Sequence, residues 1–221
     1  MPSRNTVRED MDNSFYHVYG RGSLGRIIFK DNQDKAYFLK LFERYLDSKQ
    51  HKNEYNRKNY ENYYEQIELL AFCVMDTHFH LMFWQKDAGL VSDIMKAILV
   101  SYTIYYNKRY SVRGPLLESR FKASRIDDEN YLLHLTRYIH LNPDDYRDYW
   151  FSSLGFYVAG LKEDWVRPNK IIEMFNLTPE SYWDLLKDYE EQKAKDELSK
   201  AKDSFADDGE SIDFIKQNKP F

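Results

Sequence analysis

Residues 67–84 read IELLAFCVMDTHFHLMFW, two apolar runs that a short polar connection separates. Each run has the length of a buried strand, and so short a connection favours an antiparallel hairpin. The second run is unusual because it carries two histidines, His78 and His80, with Phe79 between them. Side chains alternate along a strand, so both imidazoles project from one face while Phe79 projects from the other face, into the core. The hairpin therefore predicts a sheet with one apolar face and one face that carries two histidines.

The segments on either side of the hairpin complete an α+β pattern. Residues 14–19 are aromatic and β-branched and predict a strand, and residues 116–126 are expected to be extended. Apolar residues recur at helical spacing in residues 32–47 and 90–106. With a further helix after the last strand, the order β-α-β-β-α-β-α predicts an antiparallel sheet with helices packed on one face. Residues 48–66 show no clear period, and they either extend the first helix or form an exposed insertion.

The helix after the last strand carries a polar stripe. Asp127 or Asp128 is expected to cap its N-terminus, and Pro143 stops it after Leu141. Residues four apart on a helix differ by only about 40° in rotation, so three polar side chains share one face. These side chains are His134, Tyr138 and Asn142. Spacing alone does not separate Tyr138 from the other tyrosines of the chain, most of which are expected to pack in the core.

The composition excludes several classes of protein. Of the 221 residues, 43% are apolar and 17% aromatic, which is enough for a sizeable core and excludes a disordered chain. No apolar run is long enough to span a membrane, and the N-terminal residues lack the apolar centre of a signal peptide. The single cysteine, Cys73, excludes an internal disulfide and fits a reducing compartment. We therefore expect a cytoplasmic protein with no membrane partner.

Charge is distributed unevenly along the chain. Residues 1–150 contain 22 Lys and Arg against 21 Asp and Glu, whereas residues 151–221 contain 10 against 15. The net charge of −4 thus arises mostly in the C-terminal third, and the nearly neutral remainder can still present a local basic surface to a polyanion. We predict one domain over residues 1–150, followed by a helical, acidic extension over residues 151–221.

The paired histidines have two possible roles. Two neutral imidazoles on one face of a strand can share a divalent cation. The same pair can also lie on an exposed face and form local hydrogen bonds, so the H-x-H spacing leaves both interpretations open. Asn142 precedes a proline at a helix end, where its amide oxygen could reach a metal.

Four motifs together resemble a known family. They are Y-H-V-Y-G-R-G at 16–22, M-D-T-H-F-H-L-M at 75–82, S-R-F-K at 119–122 and R-Y-I-H-L-N-P at 137–143. This ordered set resembles the single-tyrosine HUH transposases, and most closely their branch associated with repetitive extragenic palindromes (REP-associated tyrosine transposases). The resemblance covers roughly residues 14–155.

The resemblance implies a fold and a set of site residues. It implies a ferredoxin-like sheet with the two histidines on a central strand, where His78 and His80 would bind a metal. Mixed nitrogen and oxygen ligation suits Mg²⁺ or Mn²⁺, with zinc as an alternative. Tyr138 would be the nucleophile, and Asn142 stands where the family has its third ligand, a Gln or an Asn. Gly20 and Ser119 stand where many relatives have Asn and Gly, and the insertion at 48–66 is longer than the family leads us to expect.

The activity implied is metal-dependent cleavage and rejoining of single-stranded or hairpin DNA through a 5′-phosphotyrosine, by a monomer or a homodimer. Basic residues near the tyrosine helix and the glycine loop are expected to bind DNA. They are Arg21, Arg120, Lys122, Arg125, Lys108 and Arg109. His134 lies one turn before Tyr138, and it either assists deprotonation of the tyrosine or is a structural or surface histidine.

Two other functions compete with this one. The chain could be a domesticated hairpin-DNA-binding protein with a silent active site. Alternatively, it could be a phosphodiesterase that uses a metal and water, with Tyr138 in a structural role only. A covalent protein–DNA adduct would separate the transposase from both.

Overall fold

The computed structural model describes residues 10–53 and 57–191 of the 221-residue chain. The strands and α-helices are accompanied by single 3₁₀ turns at Ser23–Gly25 and Tyr146–Asp148. In chain order they are β1 (Ser14–Arg21), α1 (Asn32–Leu46), β2 (Ile67–Val74), β3 (His78–Gln85), α2 (Leu90–Tyr110), β4 (Lys122–Ile126), α3 (Glu129–His140), α4 (Leu154–Val158) and α5 (Asn169–Met174). Residues 179–191 are also helical.

The four strands form one antiparallel sheet in the order β2-β3-β1-β4. The order of strands and helices up to β4 is that of a ferredoxin-like fold, so the predicted α+β fold is confirmed. The two central strands are β1 and β3, and their register places Tyr19 opposite His80 and His17 opposite Met82. The hairpin of residues 67–84 therefore supplies one central strand and its neighbour at the edge of the sheet.

One face of the sheet is apolar and is covered by α1 and α2. Alternate residues of β3, among them Phe79 and Phe83, belong to the buried core with the apolar stripes of both helices. The ring of Phe38 in α1 lies 5.2 Å from that of Phe79 and 5.2 Å from that of Tyr102 in α2. This face is the one on which the sequence predicted the helices.

The opposite face carries the histidines and is covered in part by α3. Asp128 caps this helix by accepting a hydrogen bond from the backbone N–H of Tyr131, whereas Asp127 pairs with Arg125. Thr136 in α3 lies with its hydroxyl 3.7 Å from the sulfur of Met82, which is on the histidine side of β3. The helix that was predicted to carry the tyrosine thus packs on the face from which His78 and His80 project, so the expectation that the helices share one face holds for α1 and α2 but not for α3.

The segment after α1 does not extend that helix. α1 ends at Leu46, and the chain turns back so that the N–H of Tyr63 donates to the carbonyl of Tyr45 at 2.8 Å. The Asn62 side chain donates to the Asp47 carbonyl at 2.9 Å, and Tyr63 is buried. Of the two alternatives for residues 48–66, the described part of the segment forms the insertion.

The described residues up to Pro179 form one compact unit, and the helical residues 180–191 belong to a second one. Part of the predicted C-terminal extension, residues 151–179, is therefore included in the compact unit of the sheet. The functional division at residue 150 stays a prediction, and the part of the acidic extension after residue 191 lies outside the described residues. Within the described residues, we found no helix of a length and apolarity that would allow it to cross a membrane.

Candidate active site

A pocket of about 420 Å³ opens on the histidine face of the sheet. Its walls come from the end of β1, the start of β3, the segment before β4, and α3. Six of the residues that the sequence singled out line it, namely His78, His80, Tyr138, Arg21, Arg120 and Lys122. The fold therefore brings together side chains that are far apart in the sequence and that include two imidazoles, a phenol and three cations.

His78 is held between two partners. Its Nδ1 lies 3.0 Å from the hydroxyl oxygen of Thr77, and its Nε2 lies 2.9 Å from Oδ1 of Asn142. Asn142 reaches this position because α3 ends at His140 and the chain turns toward the first residue of β3. The amide oxygen that the sequence singled out thus meets the imidazole at the edge of the pocket.

His80 is buried beside a second histidine of the sheet. Its Nδ1 lies 2.9 Å from Nε2 of His17, a residue of β1. Burial lowers the pKa of His80 to about 3 and that of His17 to about 4. Both imidazoles are therefore neutral near pH 7, and neutrality is the state in which an imidazole binds a metal.

Tyr138 lies over His80 and remains accessible. The two rings are perpendicular, with centroids 5.3 Å apart, and the tyrosine is 38% exposed. Tyrosines are usually drawn into a core, as Tyr102 and Tyr106 are here. The structure therefore places an accessible phenol at the pocket, against a buried histidine.

The donor atoms fit a divalent cation. His78 Nε2 and Asn142 Oδ1 are 2.9 Å apart, which is close to the separation of neighbouring ligands around a cation whose bonds are about 2.1 Å long. His80 has its Nδ1 engaged by His17, which leaves Nε2 as the nitrogen available for a metal. Mixed nitrogen and oxygen ligands suit Mg²⁺ or Mn²⁺.

A second group of possible metal ligands lies at the end of α1. It consists of Glu43, Asp47 and His51, whose ligand atoms are within 4.8 Å of one another. His51 Nε2 lies 2.9 Å from a carboxylate oxygen of Asp47. Burial acts to raise the pKa of Asp47, but hydrogen bonds from His51 and from the backbone of Lys49 outweigh it, so the pKa is lowered. A hydrogen bond between His51 and Asp47 joins two of its members, and none of the three lines the pocket.

Besides Asn142, which contacts His78 without lining the pocket, four predicted site residues lie outside it. Arg125 pairs with Asp127 at 3.2 Å, and Lys108 is exposed on α2. Arg109 pairs with Asp31 and Asp34. His134 is exposed on α3, its ring lies 6.3 Å from that of Tyr131, and burial and then Arg137 lower its pKa. Their roles stay predictions.

Sequence reasoning gave no site role to two residues that the structure places here. His17 contacts His80, and the ring of Tyr19 lies 4.9 Å from His17 and 5.9 Å from His80. Alternation in the motif at 16–22 was a signal, because His17, Tyr19 and Arg21 share one face of a strand. The register between β1 and β3, which selects their partners, has no comparable signal in the sequence.

Comparisons with known proteins give a family match and a likeness of fold. The family model described as "Transposase IS200 like" matches residues 32–142, which is half of the chain and includes the H-x-H motif, Tyr138 and Asn142. A solved structure of a REP-associated tyrosine transposase bound to a REP hairpin matches with a TM-score of 0.50 and 16% sequence identity. That match covers 72% of this chain and 87% of the other, and at this identity it is a likeness of fold. A search of curated protein sequences gave no significant match.

Proposed function

Because the chain belongs to the family of IS200-like transposases, we propose that it cuts and rejoins single-stranded hairpin DNA through a covalent bond to Tyr138. The observation that carries the proposal is the accessible phenol of Tyr138 in the pocket of His78 and His80. The structure of the same fold with a bound REP hairpin supports hairpin DNA as the substrate.

The chemistry proposed is a transesterification. The Tyr138 oxygen attacks the phosphorus of one phosphodiester and loses its proton to solvent, and the bond from phosphorus to the 3′ oxygen breaks. The departing oxygen takes up a proton and becomes a 3′-hydroxyl, while the 5′ end stays on the protein as a phosphotyrosine. Attack by a 3′-hydroxyl on this phosphotyrosine reverses the steps and rejoins a strand without ATP, because the number of phosphoester bonds never changes.

The residues around the phenol have separate tasks in this proposal. Arg21, Arg120 and Lys122 would hold the phosphates of the strand beside Tyr138, since phosphate contacts position a nucleic acid. His78, His80 and Asn142 would hold Mg²⁺ or Mn²⁺, which when bound polarises the scissile phosphate and stabilises charge that develops on it. The ring of His80 supports the ring of Tyr138 and limits its rotation.

The test is formation of a covalent adduct. Wild-type protein and labelled single-stranded hairpin oligonucleotides, incubated with Mn²⁺ or Mg²⁺, should give a labelled protein band on a denaturing gel. Tyr138→Phe should give no adduct and should still bind the hairpin, because only the attacking oxygen is removed. Tyr131→Phe is the matched control, since Tyr131 is an exposed tyrosine of the same helix, and its adduct should equal that of wild type.

Other outcomes select the competing functions. An adduct that persists in Tyr138→Phe would exclude this nucleophile. Cleaved DNA without any adduct would identify a phosphodiesterase that uses water. Hairpin binding with neither adduct nor cleavage would identify a binding protein whose site is silent.

A further inference from the structure

Each of the two imidazoles of the pocket has its Nδ1 engaged by another residue of the protein. In His78, Nδ1 is engaged by the Thr77 hydroxyl and Nε2 is directed at Asn142. In His80, Nδ1 is engaged by His17. His80 therefore has one ring nitrogen tied to the protein, which leaves its Nε2 for a ligand, whereas both ring nitrogens of His78 are engaged and its Nε2 faces the oxygen with which it would share a cation.

The rings of His17 and His80 meet in the geometry of a hydrogen bond. Their rings are inclined by only 17° and their centroids are 5.1 Å apart, which is the separation of two rings that meet edge to edge through one hydrogen bond. The ring of Tyr19 lies nearly parallel to both, at 26° to His17 and 24° to His80. Turning the His80 ring would break its bond to His17 and its contact with Tyr19.

The position of His17 in the sheet makes this contact specific. His17 lies on a central strand, opposite Met82 on one side and Ser124 on the other, and it is 8% exposed. An apolar side chain would fill this place without the cost of removing an imidazole from water. The hydrogen bond to His80 offsets that cost.

We propose that His17 is a positioning residue, which accepts a hydrogen bond from Nδ1–H of His80 and so fixes the His80 tautomer whose Nε2 carries a lone pair toward the pocket. A neutral imidazole has one donor and one acceptor nitrogen, so a proton on Nδ1 leaves Nε2 free to bind a cation. Partners of this kind orient the ligands of metal sites and raise their affinity. The inference rests on the proposed function for the cation, but the tautomer itself does not depend on it.

The first test uses wild-type protein without metal. Long-range ¹H–¹⁵N correlation spectra of histidine-labelled protein, assigned with single His variants, report which nitrogen of His80 is protonated. We expect a protonated Nδ1 and an unprotonated Nε2 in His80. A proton on Nε2 of His80 would overturn the proposal, whatever the catalytic activity of the protein.

The second test compares the Mn²⁺ affinities of two His17 variants, each measured by calorimetric titration. His17→Phe keeps a ring and removes the acceptor, and it should weaken Mn²⁺ binding by about 10- to 100-fold. His17→Gln keeps an acceptor oxygen and should restore most of the affinity. Thermal melting in EDTA checks that both variants fold, and adduct formation by His17→Phe should recover at high Mn²⁺, because the defect is one of metal affinity.

The outcomes separate this inference from the function on which it rests. If His17→Phe binds Mn²⁺ as tightly as wild type does, while His78→Ala does not bind it, the metal site exists and His17 does not position it. If wild type and His78→Ala bind Mn²⁺ equally weakly, the metal site itself fails, and the positioning role fails with it.

Discussion

Arg109 and Arg120 are both arginines that the sequence assigned to DNA binding, and their surroundings differ. Arg109 contacts both carboxylate oxygens of Asp31 through its guanidinium, and it also pairs with Asp34, which is fully buried. The Tyr105 hydroxyl bonds to Asp34 in the same cluster. Arg120 is exposed and lines the pocket. The guanidinium of Arg109 is thus engaged in balancing a buried carboxylate, whereas that of Arg120 faces the proposed path of the DNA.

Glutamine substitution should therefore affect DNA binding at Arg120 and stability at Arg109. Arg120→Gln should weaken hairpin binding several-fold and reduce its salt dependence by about one phosphate contact, with no change in melting temperature. Arg109→Gln should lower the melting temperature by several degrees, because the buried Asp34 would lose its cation. Fluorescence anisotropy at several salt concentrations and thermal melting measure the two effects. If Arg109→Gln has wild-type stability and weakened DNA binding, Arg109 belongs to the DNA interface instead.

For single residues, the sequence could predict which side chains carry the chemistry but not which side chains contact one another. The spacing of His78 and His80 placed both on one face of a strand, and the family resemblance selected Tyr138 and Asn142. The contact between His17 and His80 joins residues that are 63 positions apart, and it exists because β1 and β3 pair in one particular register. A shift of that register by one residue would turn His17 to the apolar face.

Gly22 joins three of the segments that surround the pocket. Its N–H donates to the carbonyl of Thr77 at 2.9 Å, and it forms a bridge with Leu117. A Cβ atom at this position would lie 2.1 Å from the carbonyl oxygen of Arg26, which belongs to the backbone and cannot move alone. Gly25 in the same loop has open space around it and a φ of +73°. At Gly22 the loop has no space for a Cβ atom, whereas at Gly25 it needs a residue that adopts a positive φ.

Alanine at Gly22 should be the more damaging of the two changes. Gly22→Ala should lower the free energy of unfolding by about 2 kcal/mol or more, because the backbone at Arg26 must shift, and it should reduce adduct formation by displacing Thr77 and His78. Gly25→Ala should cost only about 1 kcal/mol, from the left-handed φ, and should leave adduct formation unchanged. Urea unfolding and the gel assay measure both. Equal losses of stability and of adduct formation for the two variants would show that the backbone angle, rather than the space for a Cβ atom, determines the conformation of the loop.

The elements themselves could largely be predicted from periodicity. The hairpin, α1, α2 and the tyrosine helix were all predicted close to their observed positions, and α2 continues to Tyr110 rather than ending near residue 106. Periodicity identifies the buried face of an element but not the side of the sheet on which it packs. The prediction that all helices pack on one face was therefore wrong for α3, and it was the family resemblance that placed Tyr138 and Asn142 with the two histidines.

In the molecule as a whole, the C-terminal residues of the compact unit cover the edge of the sheet. β2 is an edge strand, and the N–H of Val74 donates to the carbonyl of Phe151 while the N–H of Ser153 donates to that of Phe72, both at 2.9 Å. Arg167 adds a similar bond to Leu69. Covering an edge in this way prevents pairing with other chains. The sequence placed residues 151–167 in a separate extension because of the uneven distribution of charge, and that division stays a prediction.

This covering segment also encloses a titratable group, which makes the stability of the whole fold depend on pH. His140 is fully buried, with Nε2 2.7 Å from the hydroxyl of Ser153, and burial lowers its pKa to about 3. In the unfolded chain the same imidazole has a pKa of about 6.5. Between these values the unfolded state binds more protons than the folded state, so stability is complete above about pH 6.5 and falls as the pH decreases.

At pH 5, His140 alone should therefore reduce the free energy of unfolding by about 2 kcal/mol relative to pH 7.5. Urea unfolding in EDTA at the two pH values measures this loss. His140→Gln keeps a hydrogen-bonding side chain and removes the titration, so it should be less stable than wild type at pH 7.5 but should lose less on acidification. Part of the loss should remain in the variant, because burial also lowers the pKa of His17 and His80. An equal loss in both proteins would mean that His140 is protonated in the folded state and that the segment covering β2 opens to admit the charge.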